Sequence, residues 1–153
     1  MADLDVKYIG VATADDGRDG RVVSDDGVLD LTVTPPPGVL YKVEQMRSVA
    51  PEATNEPGTN PEQLLAAGYC TSFHGALGAI AKQAGVDVTD SKVTAKVAVG
   101  KLPDRNMGFY LELCVSVPKV DDETALELAQ YAQQIDPYLV AMKGNADIRL
   151  TTA

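Results

Sequence analysis

Tryptophan is absent from this 153-residue sequence, histidine occurs once, and cysteine and phenylalanine occur twice each. Each scarcity excludes something. Two cysteines, Cys70 and Cys114, make no disulfide framework, and neither sits in a CxxC or Cys/His spacing. With His74 as the single imidazole, a zinc site lacks its ligands, so no metal and no cofactor are expected. The shortage of large aromatics argues against a large aromatic ligand pocket. Lys and Arg number 13 against 22 Asp and Glu, giving a net charge of −9 with no cationic cluster to neutralise phosphates. Nucleic acid is therefore not an expected partner. The opening residues, MADLDVKYIG, lack the basic-then-apolar pattern of a secretory signal, and no run approaches the length of a membrane span. The expectation is a cytoplasmic chain with no membrane partner, folded as a single domain over residues 1–153.

Strand signals open the chain. Lys7 to Ala14 and Arg21 to Val33 read as strands, the second alternating apolar and polar residues from Val28 to Val33 around a turn at Asp26-Gly27. Between them DDGRDG, Asp15 to Gly20, is a tight polar turn with Arg18 at its tip. Thr34 to Thr59 holds five prolines and little periodicity beyond a short helix over Val39 to Val49, and reads as an excursion within one domain. Later, Ser91 to Val99 and Phe109 to Val117 alternate as half-buried strands. In the latter, Phe109, Leu111, Leu113 and Val115 share one face, and Tyr110, Glu112, Cys114 and Ser116 the other. Asp121 to Ile135 reads as an amphipathic helix with Leu126, Ala129 and Ile135 among its apolar positions. Asp136-Pro137 breaks it, Tyr138 to Met142 makes a short helical turn, and Ala146 to Thr152 is a last strand. This order describes an α+β domain with largely antiparallel sheets.

The densest chemistry lies in NPEQLLAAGYCTSFHGAL, Asn60 to Leu77. Asn60 suits an N-cap, Pro61 the first helical position, and Gln63 stands three residues after the cap. The helix is expected to run to Ala84 and stop at Gly85. Its Ala and Gly content and its scarcity of charge before Lys82 predict a buried helix that other backbone approaches closely. A thiol, a hydroxyl and an imidazole inside such a helix need a reason.

These residues resemble the organic hydroperoxide resistance (Ohr) branch of the OsmC-like family. The resemblance covers nearly the whole chain and rests on ATADDGRDGRVVSDDGVLDL, on TNPEQLLAAGYCTSFHGAL and on DPYLVAMKGNADIRLT. It implies an OsmC-like fold, with antiparallel sheets wrapped around long central helices in an intertwined homodimer. It also implies a thiol peroxidase that reduces organic and fatty-acid hydroperoxides in oxidative stress. In such proteins a reactive cysteine on the central helix and a resolving cysteine near the C-terminus do the chemistry. An Arg and a Glu activate the thiolate, and dihydrolipoyl proteins regenerate the thiols. Carried over by motif, the activating pair falls on Arg18 and Glu62. The family's GYxxCF pattern reads Gly68-Tyr69-Cys70-Thr71-Ser72-Phe73, which puts the reactive position on Ser72. The CPYSNA-like pattern reads Asp136-Pro137-Tyr138-Leu139-Val140-Ala141, which puts the resolving position on Asp136.

Both thiol positions thus carry oxygen chemistry. Peroxide reduction needs a polarisable thiolate that becomes a sulfenic acid and is captured by a second thiol. A serine hydroxyl is not ionised near neutral pH, and an aspartate forms no disulfide. The expectation is loss of the two-cysteine mechanism, with a pocket for a small apolar or acyl ligand kept near Arg18, Glu62 and Ser72. A serine could attack an acyl carbon given a base beside it. His74 does not qualify, because two residues along a helix is a rotation of about 200°. Cys70 lies equally far round in the other direction. An alternative reading makes Cys70 the centre of a one-cysteine hydroperoxide reductase served by an external dithiol, and another makes the chain a non-catalytic structural or regulatory protein. Cys114, in mid-strand, reads as an inert packed thiol.

Overall fold

The computed structural model describes residues 4–35, 57–103 and 107–153. The helix expected over Val39 to Val49 lies outside them. The chain divides into two compact units, residues 1–61 and 62–153.

The first unit holds a three-stranded antiparallel meander, β1 (Ala12–Asp15), β2 (Gly20–Ser24) and β3 (Asp30–Val33). The DDGRDG turn sets its register by pairing Asp15 with Arg21. Asp16 and Gly17 take the left-handed conformation there, at φ of 55° and 65°. β1 is shorter than the strand expected over Lys7 to Ala14. Its pairing ends at Ala12–Ser24, where β2 itself turns away through Asp25 to Leu29, so residues before Val11 have no β2 partner. Arg21 donates to both carboxylate oxygens of Asp30 across the β2–β3 hairpin, at 2.6 and 2.5 Å. The pair raises the Arg21 pKa and lowers that of Asp30, but both are exposed, so its worth is mainly in register. Thr59 returns beside β3, exchanging backbone hydrogen bonds of 2.8 Å with Thr32 and Thr34. Gly58 permits this approach, since a Cβ there would stand 2.7 Å from the Thr32 carbonyl oxygen.

The second unit holds α1 (Pro61–Ala84), β4 (Lys92–Lys101), β5 (Met107–Ser116), α2 (Asp122–Ile135), α3 (Pro137–Met142) and β6 (Asp147–Thr152). β4 and β5 form an antiparallel hairpin, while β6, reached through α2 and α3, pairs parallel to β5. That parallel edge departs from the largely antiparallel expectation. It arises because a helical crossover returns the chain in the same direction.

α1 has the bounds its caps predict. At its end Gly85 adopts φ of 70°, and the Val86 amide donates to the Ala81 carbonyl at 2.9 Å, closing the last turn. Its Tyr69, Phe73, Leu77 and Ala81, four residues apart, are buried against Leu111, Leu113 and Val115 of β5, Ala125, Leu128, Ala129 and Ala132 of α2, and Leu139. Phe73, Leu77, Leu111, Leu113 and Val115 are fully enclosed, so truncating one of the larger ones would cost about 3–5 kcal/mol. Two expectations are corrected here. α1 is not buried all round, since Ala67, Gly68, Thr71, His74 and Gly75 are exposed. In α2, Leu126 and Ile135 are also exposed, and Leu128 with three alanines, Ala125, Ala129 and Ala132, carries the buried face. The short side chains let α2 settle close to β5 and β6.

By length and composition α1 is an exception to the statement that no run approaches a membrane span, with a mean hydropathy of 1.3 over its most apolar window. Its Tyr69, Phe73, Leu77 and Ala81 belong to the core just described. On the sheet's other face Lys96, Glu112 and Arg149 stand side by side in register. Lys96 Nζ donates to Glu112 at 2.5 Å and the Tyr110 hydroxyl does so at 3.1 Å, holding the Glu112 pKa below its ordinary value.

Candidate functional site at the α1 and α2–α3 junction

Asp136 is the hinge of the site. Pro137 disfavours helix for the residue before it, and Asp136 is accordingly extended, at φ −66° and ψ 120°. Its amide donates to the Ala132 carbonyl at 2.9 Å and so closes α2. Its side chain then opens α3, with Oδ1 accepting from the Leu139 amide at 2.8 Å. Pro137 takes the first helical position, where its missing N–H costs nothing. The residue is fully buried.

The remaining carboxylate oxygen, Oδ2, accepts a hydrogen bond from Ser72 Oγ at 2.5 Å. Ser72 lies one turn after Tyr69 on the flank of the α1 core stripe and is half-buried. A buried carboxylate with a donor on each oxygen is stable where an unpaired one is not, and hydrogen bonds to a charged acceptor contribute about 1.5–3 kcal/mol. Among the described residues no buried side-chain nitrogen or oxygen lacks a partner.

Aromatic rings border this pair. Tyr69 packs edge-on against Tyr138 at 6.0 Å between ring centres, and against Phe109 at 6.4 Å. Burial first, and then the negative charge of Asp136, pushes the Tyr69 hydroxyl pKa up, so it stays protonated. Cys70 has no part in the junction, since its thiol donates to the Ala67 carbonyl of its own helix at 3.3 Å. His74 is exposed and pairs through Nε2 with Ser91 Oγ at 2.9 Å. Cys114 is half-buried in β5, opposite Thr94 and Thr151, and both cysteines are free thiols. Glu62 stands in the first turn of α1, where a carboxylate complements the helix dipole, and belongs to the second unit. Arg18 is in the β1–β2 turn of the first unit. Among the described residues no group of three or more His, Cys, Asp or Glu side chains is placed to hold a metal ion.

The sequence model of the OsmC-like protein family matches residues 53–151. This chain belongs to the OsmC-like family. Within the family it is similar to the organic hydroperoxide resistance protein of Xanthomonas axonopodis pv. citri, 36% identical over 149 residues that cover 97% of this chain and 96% of that protein. The organic hydroperoxide resistance protein OhrB of Bacillus subtilis is 37% identical over 147 residues, covering 94% and 96%. The crystal structure of OhrB superposes with a TM-score of 0.80 at 34% identity, covering 97% of this chain and all of that one. That of an organic hydroperoxide resistance protein from Elizabethkingia anophelis gives 0.81 at 35% identity, covering 98% and 99%. The OsmC-like α+β fold and the place in the Ohr branch therefore stand on both sequence and structure.

For an OsmC-like chain the Ser72–Asp136 contact carries a specific meaning. The two positions assigned by the family patterns to reactive and resolving cysteines touch, through an oxygen–oxygen hydrogen bond. Sequence reasoning named both residues but not the contact, because they lie 64 positions apart. The one local signal was the Asp-Pro-Tyr break, which placed Asp136 at a helix boundary.

Proposed function

We propose that this chain is an Ohr-like protein in which the two-cysteine peroxidase mechanism is lost and a small apolar or acyl ligand site is retained around Ser72. The observation that carries the proposal is the 2.5 Å hydrogen bond from Ser72 Oγ to Asp136 Oδ2. A sulfur pair can pass between dithiol and disulfide. A hydroxyl and a carboxylate cannot, so no electrons enter or leave at this junction. Tyr69 and Tyr138 pack edge to face near this junction, which gives it an aromatic border. The Cys70 thiol, turned to the Ala67 carbonyl, does not replace the missing sulfur at Ser72.

The proposal includes one domain over residues 1–153, a homodimer in the cytoplasm, and no nucleic-acid or membrane partner. Exposed apolar side chains such as Leu65, Leu126, Tyr131, Ile135 and Val140 support association with a second copy. The net charge of −9 supports the absence of nucleic acid.

Incubating the protein with tert-butyl or linoleate hydroperoxide and a dihydrolipoyl or other dithiol reductant tests the reading. The expected result is no turnover above the rate without protein. Turnover abolished by Cys70→Ala would overturn it in favour of the one-cysteine reductase. Failure to bind any short-chain acyl compound would leave the structural or regulatory reading in its place.

A further inference from the structure

We propose that Ser72 and Asp136 form a nucleophile–base pair that accepts an acyl group from small activated esters. The inference rests on the reading that Ser72 and Asp136 hold the family's two thiol positions, and it assigns those positions a different chemistry. A nucleophilic serine is recognised by a base within hydrogen-bond reach and by a further group that orients the base. Both are here. Asp136 Oδ2 accepts from Ser72 Oγ at 2.5 Å, and the Leu139 amide fixes Oδ1 at 2.8 Å. The carboxylate is enclosed while Ser72 is half-buried, so the base stands behind a nucleophile at the edge of the core.

Exchanging sulfur for oxygen changes the electrophile. A thiolate attacks the soft peroxide bond, whereas an alkoxide-like oxygen attacks a carbonyl carbon. Ser72 Oγ bonds to the acyl carbon as its proton passes to Asp136 Oδ2. The ester C–O bond then breaks and the departing alcohol takes that proton. Water attacks the acyl-serine, giving its proton to Asp136, and the Oγ–C bond breaks as the proton returns to Oγ. The sum is ester plus water to acid plus alcohol, with no oxidant or reductant.

The test uses the full chain with p-nitrophenyl acetate, followed by rapid-mixing absorbance and by mass spectrometry of the digested protein. The expected result is a burst of p-nitrophenol of up to one equivalent, with acetyl on the Ser72 peptide. Ser72→Ala removes the adduct. Asp136→Asn lowers the acylation rate about a hundredfold, the lower end of what a general base contributes. Because asparagine caps a helix as well as aspartate does, this variant keeps its fold, which circular dichroism checks. His74→Ala acylates as the unaltered protein does. Absence of any adduct on Ser72, acetyl found only on Cys70 or His74, or an Asp136→Asn rate equal to the original would each overturn the proposal. Peroxide turnover through Cys70 is a separate readout that bears on the preceding reading alone.

Discussion

Replacing Asp136 with alanine removes the acceptor that joins α1 to the α2–α3 corner, and its cost follows from the two bonds lost. The Leu139 amide loses its cap, which costs about 1 kcal/mol. Ser72 Oγ loses its acceptor in a half-buried setting, which adds about 1–2 kcal/mol, a net figure already including the desolvation of the carboxylate. The sum is about 2–3 kcal/mol. For a chain of this size each kcal/mol lowers the melting temperature by about 2–4 °C, so Asp136→Ala should melt about 4–12 °C early. Urea unfolding with an unchanged slope measures the free energy directly. The double cycle with Ser72→Ala should return a coupling of about 1 kcal/mol. Asp136→Asn should lose about 1 kcal/mol less, because the cap survives. A loss below about 0.5 kcal/mol for Asp136→Ala, the range of an ordinary surface change, would refute the assignment of Asp136 as the joint of the site.

Three further outcomes are expected. Ser72→Cys with Asp136→Cys should place two sulfurs close enough to bond on oxidation, seen as loss of both new thiols to Ellman's reagent, and peroxide turnover with a dithiol should appear. Persistent free thiols would show that the contact is not built like a disulfide. The Asp121 carboxylate, which caps α2, has its pKa lowered by the Thr124 amide first and its hydroxyl second. A lowered folded pKa means stability that is complete above the ordinary value of 3.8 and lost as pH falls through the folded value. Asp121→Asn should therefore flatten part of the acid limb of a stability–pH curve, and an unaltered limb would count against the cap. Gly85→Ala, forced to φ of 70°, should cost about 1–2 kcal/mol by thermal melting, since an L side chain resists that conformation even with open space around it.

Much of the second unit was legible because its signals are local. Asn60, Pro61 and Gly85 predicted the observed bounds of α1, because capping preferences act within a turn of their own residue. The alternation in Phe109 to Val117 correctly put Leu111, Leu113 and Val115 on one face, which is the buried one, since a strand's period is two whatever it packs against. The misreadings have a common cause. Lys7 to Gly10 carries strand-forming residues but no strand partner among the described residues, Leu126 and Ile135 are apolar yet lie outside the buried arc of α2, and β6 runs parallel to β5. Each depends on what another segment places alongside.

The helix from Asn60 to Leu77 and the Asp-Pro-Tyr break pointed to the family, which the comparisons bear out, and singled out Ser72 and Asp136 by motif, because residue type and spacing are covalent facts. Where the hydrogen of Ser72 points was decided only when α1 and the α2–α3 corner came together. Within α1 Ser72 has nothing but backbone carbonyls to bond to, as Cys70 and Thr71 show with Ala67. The tertiary fold replaces that default with a buried carboxylate 64 residues away, which makes a stronger hydrogen bond because its charge is held out of water.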